Sequence, residues 1–162
     1  MSVASLASLG PEDFQRIDRL LHGLVEEGGA RCALLLDREG RPLAATGETA
    51  GLDETSFASL AAADFDASDG LAKLLGDREF TSLYHQGVNG CLYLVEIAGI
   101  AILAAVFDHR TTLGMVRLKT RELLPEFALL LGSLRFRAAK KQRLGVDWTD
   151  DAVTRIDRLF AG

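Results

Sequence analysis

The sequence predicts an α+β fold: a five-stranded, largely antiparallel sheet with helices packed on its faces, in the order αββαβββα, followed by a further C-terminal tail helix. Three observations carry this. Residues 91–107 hold two apolar runs, CLYLVEI and IAILAAVF, around a tight Ala98-Gly99 junction, which is a β-hairpin signal. The second of these runs shows no polar alternation, so it must be covered on both faces and lie centrally in its sheet. Of the three remaining strand-like runs, two are joined to each other and the third to the hairpin by turns too short for parallel crossovers, and a stretch of helical periodicity separates the two groups.

Residues 1–10 are small and polar and are expected to be disordered. A first helix opens at Pro11 with Glu12 and Asp13 in its first turn. It carries Phe14, Ile17, Leu21, Leu24 and Val25 at helical spacing and stops at Gly28-Gly29. Residues 32–37 (CALLLD) read as a short apolar strand, Arg38-Glu39-Gly40 as a turn, and residues 41–47 as a return strand. The small polar residues of that strand, and Pro42 near its start, suit a sheet edge.

A long helix is expected from Asp53 or Thr55 to Leu75, closed by Gly76. Projected along a helix, Phe57, Leu60, Ala61, Leu71 and Leu75 share one face, read as the core face, with Asp64 and Ser68 midway along it. A lone buried aspartate is costly, so that face is either half covered there or meets a second copy of itself across a symmetry axis. Ala62, Asp66, Asp69, Gly70 and Lys73 fall on the opposite face, where small residues permit close approach of another backbone.

Residues 80–85 (FTSLYH) read as the third strand and residues 86–90 as a turn into the hairpin. Beyond the hairpin, residues 108–112 lead into a helix over 112–140, with Asp108 expected to cap it. Its apolar face is Leu113, Val116, Leu123, Leu124, Phe127, Leu131 and Leu134, and Pro125 inside it predicts a kink. These elements form one domain over 11–138. The basic residues after it give a linker over 139–147. A tail helix over 148–162 then starts with Thr149 as cap, Asp150 and Asp151 facing the helix dipole, and Trp148 and Val153 at staple spacing. Val153, Ile156 and Phe160 line one face of the tail, with Leu159 at its edge. Arg-Ile-Asp-Arg-Leu occurs at 16–20 and again at 155–159; chance repetition of an amphipathic pattern is the simpler explanation, and docking of the tail where the first helix docks is the alternative.

Composition bounds the function. The chain has 162 residues, 48% hydrophobic and 25% charged, enough for one core with a polar surface. Its net charge of −5 argues against nucleic acid as a partner. Cys32 and Cys91 each open an apolar run and read as small buried thiols, which fits a reducing compartment. The start lacks the basic flank and apolar core of a secretion signal, and no apolar run is long enough to span a bilayer. The expectation is a cytoplasmic protein that meets no membrane.

Catalytic signals are weak. There is no G-x-x-x-x-G-K-[ST] phosphate loop and no G-x-G-x-x-G after a strand. His22, His85 and His109 are scattered, not at metal-ligand spacing. Asp108-His109-Arg110 is the best cluster, but adjacent residues seldom converge on one point and no nucleophile stands beside them in sequence. No catalytic residue, metal or cofactor is assigned; the residues describe a binding module.

Several stretches then resemble the Roadblock/dynein-light-chain family over about residues 12–160: GLAKLLGDREF at 70–80, YHQG at 84–87, CLYL at 91–94, VFDHRTTLGMVRLK at 106–119, and the tail helix ending IDRLF. The resemblance implies a Roadblock-like α/β sandwich, with one helix on one face of the sheet and two on the other. It also implies a homodimer whose sheets join and whose long second helices lie side by side. Bacterial members of this kind are partners of a Ras-like small GTPase of the MglA type, which sets cell polarity and gliding motility. They activate GTP hydrolysis by reshaping the GTPase's own catalytic residues, without an arginine finger. Carried onto this chain, the GTPase-binding residues are Ala62, Asp66, Gly70 and Lys73 on the second helix and Val153, Ile156, Leu159 and Phe160 on the tail, and the dimer interface holds Asp64, Ser68, Leu83 and His85. Asp64, Asp66 and Asp69 make the second helix more acidic than the family tends to be. The alternative is a non-activating adaptor that only tethers a small GTPase or a motor complex; such a bare platform would not need the tail helix.

Overall fold

The computed structural model describes residues 9–160, with side chains through residue 143. The elements follow the expected order: α1 (Pro11–Glu26), β1 (Cys32–Asp37), β2 (Pro42–Gly47), α2 (Glu54–Leu74), β3 (Ser82–Gln86), β4 (Cys91–Ile97), β5 (Ala101–Phe107) and α3 (Leu113–Phe160). The five strands form one antiparallel sheet in the order β2-β1-β5-β4-β3. The unalternated β5 is central, β2 is one edge and β3 is the other. Ala98 (φ 50°) and Gly99 (φ 65°) both occupy the left-handed region, as a two-residue hairpin turn requires. The Ile100 N–H closes that turn on the Ile97 carbonyl at 2.9 Å.

Strand alternation divides the core in two. On one face Leu35, Leu103 and Phe107 pack with Ile17, Leu21 and Leu24 of α1 and Phe127 and Leu131 of α3. On the other, Leu34, Leu36, Leu94 and Ile102 meet Ala58, Ala61, Ala62 and Phe65 of α2. The β1–β2 turn is held by buried Asp37, which accepts from the Glu39 N–H at 3.0 Å, the Arg41 N–H at 2.9 Å and Arg41 Nε at 2.9 Å. Gly40 serves this turn twice: its φ is +83°, and a Cβ there would lie 2.8 Å from Ser59 Cα of α2.

The last helix departs most from expectation. The backbone is helical from Leu113 to Phe160, so residues 139–147, read as a linker, are helical, and Thr149 lies inside a helix instead of capping a new one. Strong helix formers lead into and fill that stretch, Arg135 and Ala138 before it and Ala139, Lys140, Lys141, Gln142, Arg143 and Leu144 within it, and Gly145 alone does not end the run. As expected, the helix continues through Pro125, which lies on its exposed side, where water can take the carbonyl that the proline leaves without a donor. Asp108 does not cap it; Thr112 does, its Oγ1 accepting the Met115 N–H at 3.2 Å. Arg137, part of the basic stretch, clamps α3 to α1 through Asp13 at 2.8 Å. Burial raises the Asp13 pKa, but the Gly10 N–H, Arg137 and Arg16 more than offset it and hold the carboxyl below its usual range.

Candidate functional site

The surface of α2 divides into three sectors. The sector toward the sheet is made of alanines, Ala58, Ala61, Ala62 and Ala72, with Phe65. Small side chains let the helix axis sit close to the sheet, and the leucines are turned away. Leu60 is 71% exposed, Leu71 62%, Leu74 85% and Leu75 84%. Of the face assigned to the core by projection, Ala61 is buried and Phe57 half-buried in the core, but Leu60, Leu71 and Leu75 form an exposed stripe, and the core is centred on the alanine side. Asp64 is exposed on that stripe between Leu60 and Leu71, and Ser68 is half-buried at its border. This resolves the apparent conflict of a buried aspartate: Asp64 is wet in the single chain.

A third sector holds Asp66, Gly70 and Lys73, all exposed. Ala62, expected beside them, is instead buried against the sheet at 4% exposure, because the alanine sector extends around to it. Gly70 has open space above it, with nothing within 4 Å of an added Cβ. Lys73 Nζ meets Asp69 Oδ2 at 2.6 Å, one turn away. Asp66 Oδ1 accepts from Arg38 Nη2 at 2.5 Å. Arg38 comes from the β1–β2 turn, lies over the Phe65 ring at 5.2 Å and approaches Glu96 of β4 at 3.1 Å. It ties the turn, the sheet and α2 together, and no local sequence signal marks it.

Beside α2 runs β3, a sheet edge with no partner on its outer side among the described residues. Leu83 and His85 project to the α2 side of this strand; Leu83 packs with the second core and His85 is exposed. The leucine stripe, Asp64, Ser68, Leu83 and His85 thus lie on the same side of the molecule, whereas Asp66, Gly70 and Lys73 form a separate surface around the helix. The helical backbone reaches Phe160, but the side chains of Val153, Ile156, Leu159 and Phe160 lie outside the described residues.

Asp108 and Arg110 belong to a surface ion network. Arg110 Nε reaches Asp108 at 2.9 Å and its Nη1 reaches Glu48 at 2.7 Å, while Arg31 Nε contacts Glu48 at 3.2 Å and Asp108 at 3.7 Å. Hydrogen bonds from the Arg110 side chain and backbone hold the Asp108 carboxyl at a pKa of about 2, and those from Arg110 and Arg31 lower that of Glu48. Multiply paired carboxylates whose ionised form is favoured are poor proton shuttles; the network staples the start of β1, the loop after β2 and the entrance to α3. Among the described residues no group of three His, Cys, Asp or Glu could hold a metal ion, and no helix is long and apolar enough to cross a membrane.

Residues 16–107 match the Roadblock/LC7 domain. Among solved structures, the chain is similar to Myxococcus xanthus MglB with a TM-score of 0.72 and 34% identity, covering 78% of this chain and 95% of that one. It is similar to the gliding protein MglB of Thermus thermophilus with a TM-score of 0.71 and 33% identity, covering 77% and 95%. A further match is an MglB with a tetrameric arrangement, at a TM-score of 0.72 and 32% identity over 78% and 95%. Acanthamoeba castellanii profilin II, with a TM-score of 0.52 and 16% identity over 68% and 95%, shares the fold alone. No curated protein sequence matches the chain.

Proposed function

Because the chain belongs to the Roadblock/LC7 family, we propose that it is a cytoplasmic, homodimeric regulator of a bacterial Ras-like small GTPase of the MglA type, and that it speeds GTP hydrolysis on that partner. The observation that carries the reading is the division of α2. One exposed sector is apolar and lies on the same side of the sheet as Leu83 of the open edge strand β3, which suits an isologous contact in which two sheets join. The other exposed sector, Asp66, Gly70 and Lys73, is left free by that contact and presents a glycine with open space above it. One helix then serves two partners without competition between them.

In the dimer Leu60, Leu71, Leu74 and Leu75 are covered by the second copy, and Asp64 and Ser68 lie near the two-fold axis with Leu83 and His85 at the strand edge. The GTPase docks on Asp66, Gly70 and Lys73, and Val153, Ile156, Leu159 and Phe160 of the tail make a second contact. The chain contributes no catalytic side chain. It acts by holding the GTPase's own residues in the geometry that stabilises the transition state.

Single-turnover GTP hydrolysis by the cognate GTPase, with and without this protein, tests the proposal. A hydrolysis rate that rises with the concentration of this protein and then saturates is expected. Tight binding with an unchanged hydrolysis rate would replace activation by tethering, and absence of binding would remove the GTPase from the reading altogether.

A further inference from the structure

Asparagine occurs once in this chain, at position 89, and glycine follows it. The pair stands in the β3–β4 connection, where Val88 is fully exposed and Asn89 is exposed beside it. The two hairpin turns on β4 differ. The β4–β5 turn has positive φ at both Ala98 and Gly99 and is closed by the Ile100 N–H. In the β3–β4 turn Gln86 pairs with Cys91, and the Gly87 N–H donates to the Gly90 carbonyl at 2.9 Å, which leaves Val88 and Asn89 as a two-residue loop. Neither loop residue has positive φ, so the turn lacks the twist that suits a right-handed hairpin. The reciprocal bond, from the Gly90 N–H to the Gly87 carbonyl, is not formed. Among the described residues neither the Gly90 N–H nor the Asn89 carboxamide has a hydrogen-bond partner.

Those are the conditions for an intramolecular reaction. Asparagine is thermolabile because its carboxamide carbon lies within five-membered-ring reach of the next residue's amide nitrogen. That nitrogen must be free of a hydrogen bond, and a following glycine, with no Cβ, shields it least. Rival positions fail on one count or the other. Gly87 follows Gln86, but glutamine needs the slower six-membered ring, and the Gly87 N–H is already donated to Gly90. Asp69-Gly70 is the one Asp-Gly pair in the sequence. It lies inside α2, where helical bonding occupies the Gly70 N–H and Lys73 holds the Asp69 carboxylate at 2.6 Å.

We propose that Asn89 is a self-modifying site, at which the chain deamidates its own asparagine to aspartate and isoaspartate. The Gly90 nitrogen, its proton passed to hydroxide, attacks Asn89 Cγ. A C–N bond forms to close a succinimide, the carboxamide C–N bond breaks, and the leaving nitrogen takes a proton from water and departs as ammonia. Water then opens the ring at either carbonyl. One opening gives aspartate; the other gives isoaspartate, whose main chain runs through Cβ and Cγ. Nothing is oxidised or reduced, and water is the only co-reactant. Both products add a negative charge to a chain whose net charge is already −5. Isoaspartate also lengthens the turn by a backbone carbon at the end of β3, an edge of the sheet. The reaction depends on neither the dimer nor the GTPase reading.

The test is to age the full chain at mildly alkaline pH over days. Peptide mass spectrometry maps the conversion, and an isoaspartyl-specific methyltransferase counts the isoaspartate. Conversion is expected at position 89 and not at Gln86, and it should quicken as pH rises. A turn with no locking bond opens at almost no cost, so the rate in the folded chain should lie within about threefold of that in a free peptide of residues 84–93. Gly90→Ala should slow conversion at least about tenfold by shielding the attacking nitrogen. The fold tolerates that change, because the added Cβ would meet only the Phe107 carbonyl oxygen, at 3.5 Å. Asn89→Gln should abolish the isoaspartate signal and leave the melting temperature as in the parent. A folded chain that outlasts the peptide by about tenfold or more, equal conversion at Gln86, or indifference to Gly90→Ala would each overturn the proposal.

Discussion

Replacing Leu71 by alanine should break the homodimer while leaving each protomer folded. In the single chain Leu71 is 62% exposed and makes little of the core, which on this side is built from Ala58, Ala61, Phe65 and Leu94. Full burial of a leucine side chain is worth about 1.5–3 kcal/mol, so covering the exposed part contributes about 1–2 kcal/mol per protomer. A two-fold interface repeats the loss, giving about 2–4 kcal/mol, or roughly 30- to 1,000-fold in the dimer dissociation constant. Sedimentation equilibrium over a dilution series reads this directly. Thermal melting supplies the control: the parent melting temperature should rise with protein concentration, because dimerisation is linked to folding, and that dependence should shrink in the variant. Leu94→Ala, in the core beneath α2, should instead cost about 2–5 kcal/mol of folding stability. A Leu71→Ala protein that dimerises as tightly as its parent, or a parent that is monomeric at micromolar concentration, would refute the assignment of the leucine stripe.

Four further outcomes are expected. Gly70→Arg should abolish activation of the GTPase and leave the dimer intact, since the new side chain meets open space in this chain and an obstruction only in the complex; hydrolysis assays beside light scattering will show it. Removing residues 146–162 should leave the melting temperature nearly unchanged but speed GTPase dissociation, by roughly 30- to 1,000-fold if the apolar positions of the tail contribute about 2–4 kcal/mol; an unchanged dissociation rate counts against a tail contact. Ala98→Asn should raise stability by several tenths of a kcal/mol, up to about 1, because asparagine tolerates the left-handed backbone that alanine holds there at φ 50°; a lower urea midpoint would contradict this. Acid should destabilise the fold in a defined window. Asp108 titrates at about 2 in the folded chain against 3.8 unpaired, so its contribution is complete above about pH 4 and is lost as pH falls toward 2. The depressed Asp13 adds in the same direction. Urea midpoints measured against pH should fall steeply there, and less steeply in Asp108→Asn.

Element order, the central place of β5 and the edge place of β2 were all legible, because each rests on local information: hairpin spacing, missing alternation, a proline. The orientation of α2 was not. Leucine outweighs alanine in any projection, yet here alanines face the sheet, because close packing favours small residues and the leucines face away from it. The break at Asp64 was the one signal that this face is not an ordinary core. Arg137 and Arg38 were missed for a different reason: their partners, Asp13 and Asp66, lie 124 and 28 residues away, and a salt bridge leaves no periodic trace. The linker at 139–147 was inferred from charge, but charged residues that favour helix continue one as readily as they solvate a loop.

The unbroken α3 has a consequence for how the tail can reach a target. From Leu134, the last buried residue among those described, to Phe160 is 26 residues, about 39 Å of helix at 1.5 Å per residue. A nine-residue flexible tether would instead give a root-mean-square span of about 17 Å, sampled in every direction. A helical arm replaces that cloud of positions with one radius and one heading. Inserting a single alanine near residue 142 would extend the arm by only about 1.5 Å but swing everything beyond it through about 100°. Length would barely change while bearing changed entirely, and a contact made by the tail would be gated by angular register, not by distance.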